Sequence, residues 1–197
     1  MTGRPYHHGN LRAALLAEAE RTLRDEGIDQ LSLRDLARQA GVSHAAPRRH
    51  FADRQALLDA LAEAGFLRLG DELRAAIDAA GDDYATRVRA AATAYVRFAT
   101  EDAALLELMY AVKRGPHPVA VDDAFGRLFT TFAGLISQGQ RTGELRPGDP
   151  DRIRLLFLAA IQGIAGLVTS GTIEAGQAGE LIADAVALLA LARPEPA

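Results

Sequence analysis

The chain has no cysteine at all. That excludes a disulfide scaffold, zinc-finger and iron–sulfur ligation, and thiol catalysis. Long apolar runs are also missing. None reaches 18 residues, so no transmembrane helix is expected. Residues 1–10 are polar and carry no apolar signal-peptide core, which leads us to expect a cytoplasmic protein. No segment alternates apolar and polar residues for long enough to read as a strand. No nucleophile-elbow glycine pattern and no glycine-rich phosphate loop is present, so no catalytic residue and no cofactor is expected. A net positive charge is absent too: the 197 residues sum to −4.

That average hides an asymmetry. Residues 1–60 carry nine arginines against eight acids, or +1, and four of the five histidines. The other 137 residues carry 13 basic and 18 acidic side chains, or −5. Two segments of different charge suggest two tasks in one chain.

What fills the chain is helix. Alanine, leucine and arginine dominate, and these are strong helix formers. Leu11, Leu15, Ala19 and Leu23 recur every fourth residue, predicting a first helix over 10–26 that Gly27 ends. Ser32 and Asp35 form an S-x-x-D capping pattern, which predicts a second helix stopped near Gly41. Ser43 is the expected N-cap of a third short helix ending near Phe51. Asp53 caps a long fourth helix, 54–80, with Leu58, Leu61, Gly65, Leu69 and Leu73 on its apolar face. Five more helices are expected, over about 84–100, 103–112, 119–141, 151–170 and 175–192, and the tail from Arg193 is expected to be disordered.

The informative stretch is 32–51. Two short helices joined through Gly41 make a helix-turn-helix. Glycine adopts the left-handed turn conformation at no steric cost. Ala37 is small where the helices cross. Leu33, Leu36, Val42 and Phe51 bury the apolar side and leave Ser43, His44, Ala45, Arg48 and Arg49 outward, as a helix entering a DNA major groove requires. A plain helical hairpin shares the bare pattern. The preceding amphipathic helix and the local concentration of basic residues favour DNA. His7, His8, His44 and His50 admit a metal reading, but adjacent histidines seldom converge on one ion, and no metal is expected.

On these residues the chain resembles the TetR family of transcriptional regulators. Leu33–Val42 reads L-x-x-L-A-x-x-A-G-V. Ser43, His50-Phe51 and Asp53-Arg54-x-x-Leu57-Leu58 follow at the family's spacing. Three positions depart from it: Arg48 stands for a tyrosine, Arg54 for a lysine, and Pro47 for a more usual leucine. Pro47 lacks an N–H and biases Ala46 away from helix, which predicts a distorted first turn. The Ser-His-Ala-Ala-Pro start resembles a subgroup with a Trp/His-Gly signature in its C-terminal half. At the corresponding positions, Leu158, Gln162 and Gly163, only the glycine is kept.

The resemblance implies an all-α protein with two domains. Residues 8–66 would be the DNA-binding domain, and 67–192 an effector-binding and dimerisation domain. It implies a homodimer that binds a palindromic double-stranded operator, most simply as a repressor, and answers to a small-molecule effector, with no membrane. The alternative is a helical small-molecule binder or enzyme with a vestigial helix-turn-helix. The DNA-binding residues implied are Arg34, Ser43, His44, Ala45, Arg48, Arg49, His50 and Arg54. Among these, Ser43, Arg49, His50 and Arg54 would hold phosphates, and His44, Ala45 and Arg48 would lie nearest base edges. Tyr95, Phe98, Met109, Tyr110, Phe125, Phe129 and Phe132 collect most of the aromatics of the C-terminal half, and are the candidate lining of an effector pocket. Arg97, Lys113 and Arg114 are candidate contacts for an anionic effector. Ala159, Gly163 and Gly166, facing Leu181, Ala185 and Leu188, are the candidate dimer interface.

Overall fold

The computed structural model describes residues 11–189, so His7, His8 and the tail from Arg193 lie outside the described residues. Among the described residues there are eight α-helices and two 3-10 turns, and no strand. The helices are α1 (Leu11–Glu26), α2 (Leu33–Gln39), α3 (Arg54–Ala79), α4 (Tyr84–Glu101), α5 (Ala103–Arg114), α6 (Val119–Thr142), α7 (Pro150–Thr169) and α8 (Ala175–Leu189). They form two compact units. The first holds the described residues up to Phe66 and Ala104–Asp123; the second holds Leu67–Ala103 and the described residues from Ala124.

In the first unit, the four-residue stripe of α1 is buried as its spacing requires, from Leu11 to Leu23. Leu31, Leu36, Ala37, Phe51, Leu57 and Leu61 of the same unit are buried as well, and α1 packs against α2. α5 joins this unit through α3. A Cβ on Gly65 would lie 2.6 Å from Met109 Sδ, so the missing side chain sets how closely the two helices approach. Next to it the rings of Phe66 and Tyr110 meet edge to face at 6.1 Å.

The second unit is built on α4, whose N-cap Asp83 accepts a hydrogen bond from Thr86 N at 2.8 Å. The buried rings of Tyr95, Phe132 and Phe157 form an edge-to-face series, at 6.3 and 6.1 Å. α7 begins at Pro150 behind the cap Asp149, a position where a missing N–H costs nothing. Its face of Ile153, Phe157, Ile161, Ile164 and Ala165 is buried, and α7 packs against α4 and α8. The other face is not covered. Leu155, Leu156 and Leu167 are 54%, 50% and 39% exposed there, and Leu188 on α8 is 80% exposed. Among the described residues, α7 alone is long and apolar enough by composition to cross a membrane.

Candidate nucleic-acid interface

The frame of the helix-turn-helix is set by two ends. Ser32 Oγ accepts from Asp35 N at 3.1 Å and donates to the Asp35 carboxylate at 2.6 Å, which opens α2. This hydroxyl holds the Asp35 carboxyl below its ordinary value, with Arg38 adding to the effect. α2 closes in a Schellman turn: Val42 N donates to Ala37 O at 3.0 Å and Gly41 N to Arg38 O at 3.2 Å. Gly41 sits at φ +66, the left-handed conformation that the turn demands and glycine accepts.

The third helix is not a regular α-helix. Residues 44–46 form a turn, and Pro47–Arg49 a single 3-10 turn. The cause is Pro47, which has no N–H to donate to Ser43 O. That carbonyl instead accepts from Ala46 N at 2.9 Å, an i to i+3 bond. The expected distortion therefore takes over the whole segment. The conformation of Ala46 is also corrected: it is helical, at φ −64 and ψ −45, despite preceding proline. The expected N-cap role of Ser43 is not realised, since Ala46 flanks the turn and no side chain caps it. Buried Pro47 anchors the segment, and Phe51 N and His50 N both donate to Pro47 O at 2.9 Å.

This construction leaves a row of side chains facing out. Ser43, His44, Ala45, Arg48, Arg49 and His50 lie at or near the surface of the segment, as does Arg34 on α2. Acidic partners quench other cations nearby: Arg38 pairs with Asp35 at 3.0 Å, and Arg24 with Glu20 at 3.2 Å. Among the described residues, neither Arg34, Arg48 nor Arg49 has such a pair, so their guanidinium donors are left to solvent. Arg54 is placed differently. Its Nε donates to Leu31 O at 2.9 Å and its Nη2 to Ile28 O at 2.5 Å, tying the start of α3 to the 3-10 turn Ile28–Gln30. One neighbour was not singled out from the sequence. Arg12 of α1 lies over the Phe51 ring at 5.5 Å, and a basic residue on an exposed α1 position gives no sequence signal of that contact.

The candidate effector residues divide between the units. Met109 and Tyr110 pack on α3 in the first unit. In the second, Tyr95, Phe98 and Phe132 are buried, while Phe125 and Phe129 stack at 4.2 Å on a half-exposed face of α6. Two of the candidate anion contacts already hold acids: Arg97 pairs with Glu72 at 3.0 Å, and Lys113 with Asp122 at 2.6 Å. His117 shares Asp122, at 3.1 Å, and this contact raises its pKa. Among the candidate interface residues, Ala159, Gly163, Gly166 and Leu188 are exposed, and Leu181 and Ala185 half-buried. No cluster of potential metal ligands occurs among the described residues.

Comparison with known proteins agrees with this geometry. The profile described as bacterial regulatory proteins, tetR family, matches residues 15–61. That of the tetracyclin repressor-like C-terminal domain matches residues 88–191. A solved structure of a Rhodococcus sp. RHA1 protein of unknown function is 45% identical, with 96% of this chain and 100% of that one covered and a TM-score of 0.88. A TetR family transcription regulator from Marinobacter aquaeolei VT8 is 18% identical, covering 92% and 96%, with a TM-score of 0.74. The TetR family transcriptional regulator PfmR from Thermus thermophilus is 19% identical, covering 88% and 95%, with a TM-score of 0.68. No curated protein matches the sequence.

Proposed function

Because the chain belongs to the tetR family of bacterial regulatory proteins, which are DNA-binding regulators of transcription, we propose that it is a homodimeric repressor of a palindromic operator, released by a small organic effector. The observation that carries this reading is the row of outward basic side chains around the 3-10 turn Pro47–Arg49, held on a capped and Schellman-closed frame. Such donors bind phosphates and base edges, and a rigid frame lets them do so without first being ordered. Arg49 and His50 are read as phosphate contacts, with His44, Ala45 and Arg48 nearest the bases. Ser43 and Arg34 flank them. Arg54 would add its remaining donors at the edge.

A dimer supplies the second half-site. Two recognition segments must lie about 34–36 Å apart to meet successive major grooves. The uncovered face of α7 and α8, with small residues at Ala159, Gly163 and Gly166 beside exposed leucines, has the composition of a four-helix interface between two copies. Self-association would also bury the apolar surface that makes α7 resemble a membrane helix in composition. An effector would enter among Tyr95, Phe98, Phe125, Phe129 and Phe132 of α4 and α6. To release DNA it must bind the released state more tightly by a few kcal/mol.

The test is selection of duplex fragments from a random pool by the purified protein. An enriched inverted repeat supports the reading. Recovery of random sequence, or of nothing, contradicts it and favours a binding protein whose helix-turn-helix no longer reads DNA.

A further inference from the structure

The loop that joins α5 to α6 reads Gly115-Pro116-His117-Pro118. His117 is the one histidine outside residues 1–60, and the DNA reading makes no use of it. Both of its ring nitrogens face oxygen. Nδ1 lies 2.6 Å from the Gly115 carbonyl, and Nε2 lies 3.1 Å from the Asp122 carboxylate. Neither oxygen can donate. A carbonyl has no proton to give, and Lys113 and His117 hold the Asp122 carboxyl below its ordinary value, so it is ionised at neutral pH. A neutral imidazole has one N–H and one lone pair, and either tautomer would set that lone pair against an acceptor. The imidazolium, with two N–H groups, satisfies both contacts. The side chain is only 11% exposed, so water can do little to stand in for either partner.

These contacts tie three pieces of chain together. From the last turn of α5, Lys113 Nζ donates to the same Asp122 oxygen at 2.6 Å. Asp122 itself lies in the first turn of α6. The loop leaves α5 with Gly115 N donating to Val112 O at 3.0 Å, and α6 opens with Val121 N donating to Pro118 O at 3.0 Å. Pro116 and Pro118 offer the loop no N–H, and the His117 ring supplies donors in their place. All of these residues but Val112 and Lys113 follow α5, and all lie in the first unit, whose last residue is Asp123; α6 itself runs on into the second.

We propose that His117 is a proton-operated clasp: protonated, it pins the first turn of α6 to the end of α5, and on losing its proton it releases the loop 115–118. Among the described residues, the charged groups facing the ring are Asp122 of α6 and Lys113 of α5. The hydrogen bond to Asp122, and then that to the Gly115 carbonyl, raise the histidine above its ordinary 6.5, while the Lys113 ammonium opposes them. A raised folded-state value gives stability that is complete below 6.5 and is lost as pH rises through the folded value. The clasp therefore opens on alkalinisation.

The test is a pH titration of the histidine side chains of the full chain by carbon-edited NMR, with amide hydrogen exchange followed on the same protein. His117→Gln identifies the His117 resonance by its loss. The midpoint of that resonance should lie above 6.5, and Asp122→Asn should move it down. Exchange of residues 115–123, corrected for the intrinsic rate, should be slower by about threefold or more near about pH 6 than near about pH 9 in the wild type. In His117→Gln it should be the same at both. A midpoint at or below 6.5, a midpoint that Asp122→Asn leaves in place, wild-type protection that does not change with pH, or a change that survives in His117→Gln overturns the proposal. Every readout is made without DNA, so failure here leaves the operator reading standing.

Discussion

Two stretches of the molecule leave side chains uncovered, and their chemistry is opposite. Around Pro47–Arg49 the exposed groups are Arg48, Arg49 and His50, with donors that water satisfies well. Along α7 and α8 they are Leu155, Leu156, Leu167 and Leu188, interleaved with Ala159, Gly163 and Gly166. Solvated arginines cost the isolated chain little, so their partner can come and go with salt. Exposed leucines in one patch carry a standing cost in water, and their partner should be permanent. On the proposed reading, the difference separates a transient polyanionic partner from a constitutive one, a second copy.

Breaking the apolar side should have the largest effect. Gly163→Leu places a side chain where two copies would pack. It leaves the protomer undisturbed, because nothing lies within 4 Å of its Cβ. The dimer dissociation constant should rise at least 100-fold, which is about 3 kcal/mol, as read by sedimentation equilibrium, and operator binding should fall with it. A protein that stays dimeric places the interface elsewhere. On the charged side the effect should be smaller. Arg48→Ala should weaken binding by about 1–3 kcal/mol and relax preference at one base pair if it reads a guanine. Uniform weakening across sequences in a fluorescence-anisotropy series would assign Arg48 to phosphate instead.

The frame under the charged side can be tested without DNA. Gly41→Ala forces a Cβ into the left-handed region and should cost about 1–2 kcal/mol of unfolding free energy in a urea titration. Ser32→Ala should cost about 1 kcal/mol at neutral pH, through the lost cap. Its pH dependence follows from Asp35, whose carboxyl is held below its ordinary 3.8 chiefly by the Ser32 hydroxyl. A lowered folded-state pKa gives stability that is present above 3.8 and is lost as pH falls through the folded value. The wild type should therefore lose more than the variant on acidification. Equal losses on going from neutral pH to about pH 3, in paired melts of the two proteins, would remove Asp35 from the cap.

Features written in neighbouring residues were legible in the sequence. The α1 stripe, the Ser32–Asp35 cap, the Gly41 turn and the Asp53 cap each depend on contacts within a few positions, and each is in place. Pro47 announced a distortion, but local rules could not say that it would leave a single 3-10 turn. The carbonyl of Ser43 had another donor available in Ala46, and buried Pro47 fixed the rest. Arg54 reads as a surface cation until the carbonyls of Ile28 and Leu31 are brought to it. The apolar stripe of α5 does not name its partner; in the fold Met109 fills the side-chain gap at Gly65.

On the proposed reading, the exposed cations at 43–50 bind duplex DNA as polyanion ligands on a capped frame. The most direct measurement is the affinity of the intact protein for its selected fragment as a function of salt, repeated with Arg48→Ala/Arg49→Ala. Each phosphate contact adds about 0.9 to the negative slope of log K against log salt. The wild type should show a steep slope, the double variant a slope shallower by about one or more, and the selected fragment should be preferred over random DNA. A flat salt dependence, or a double variant with the wild-type slope and affinity, would contradict it.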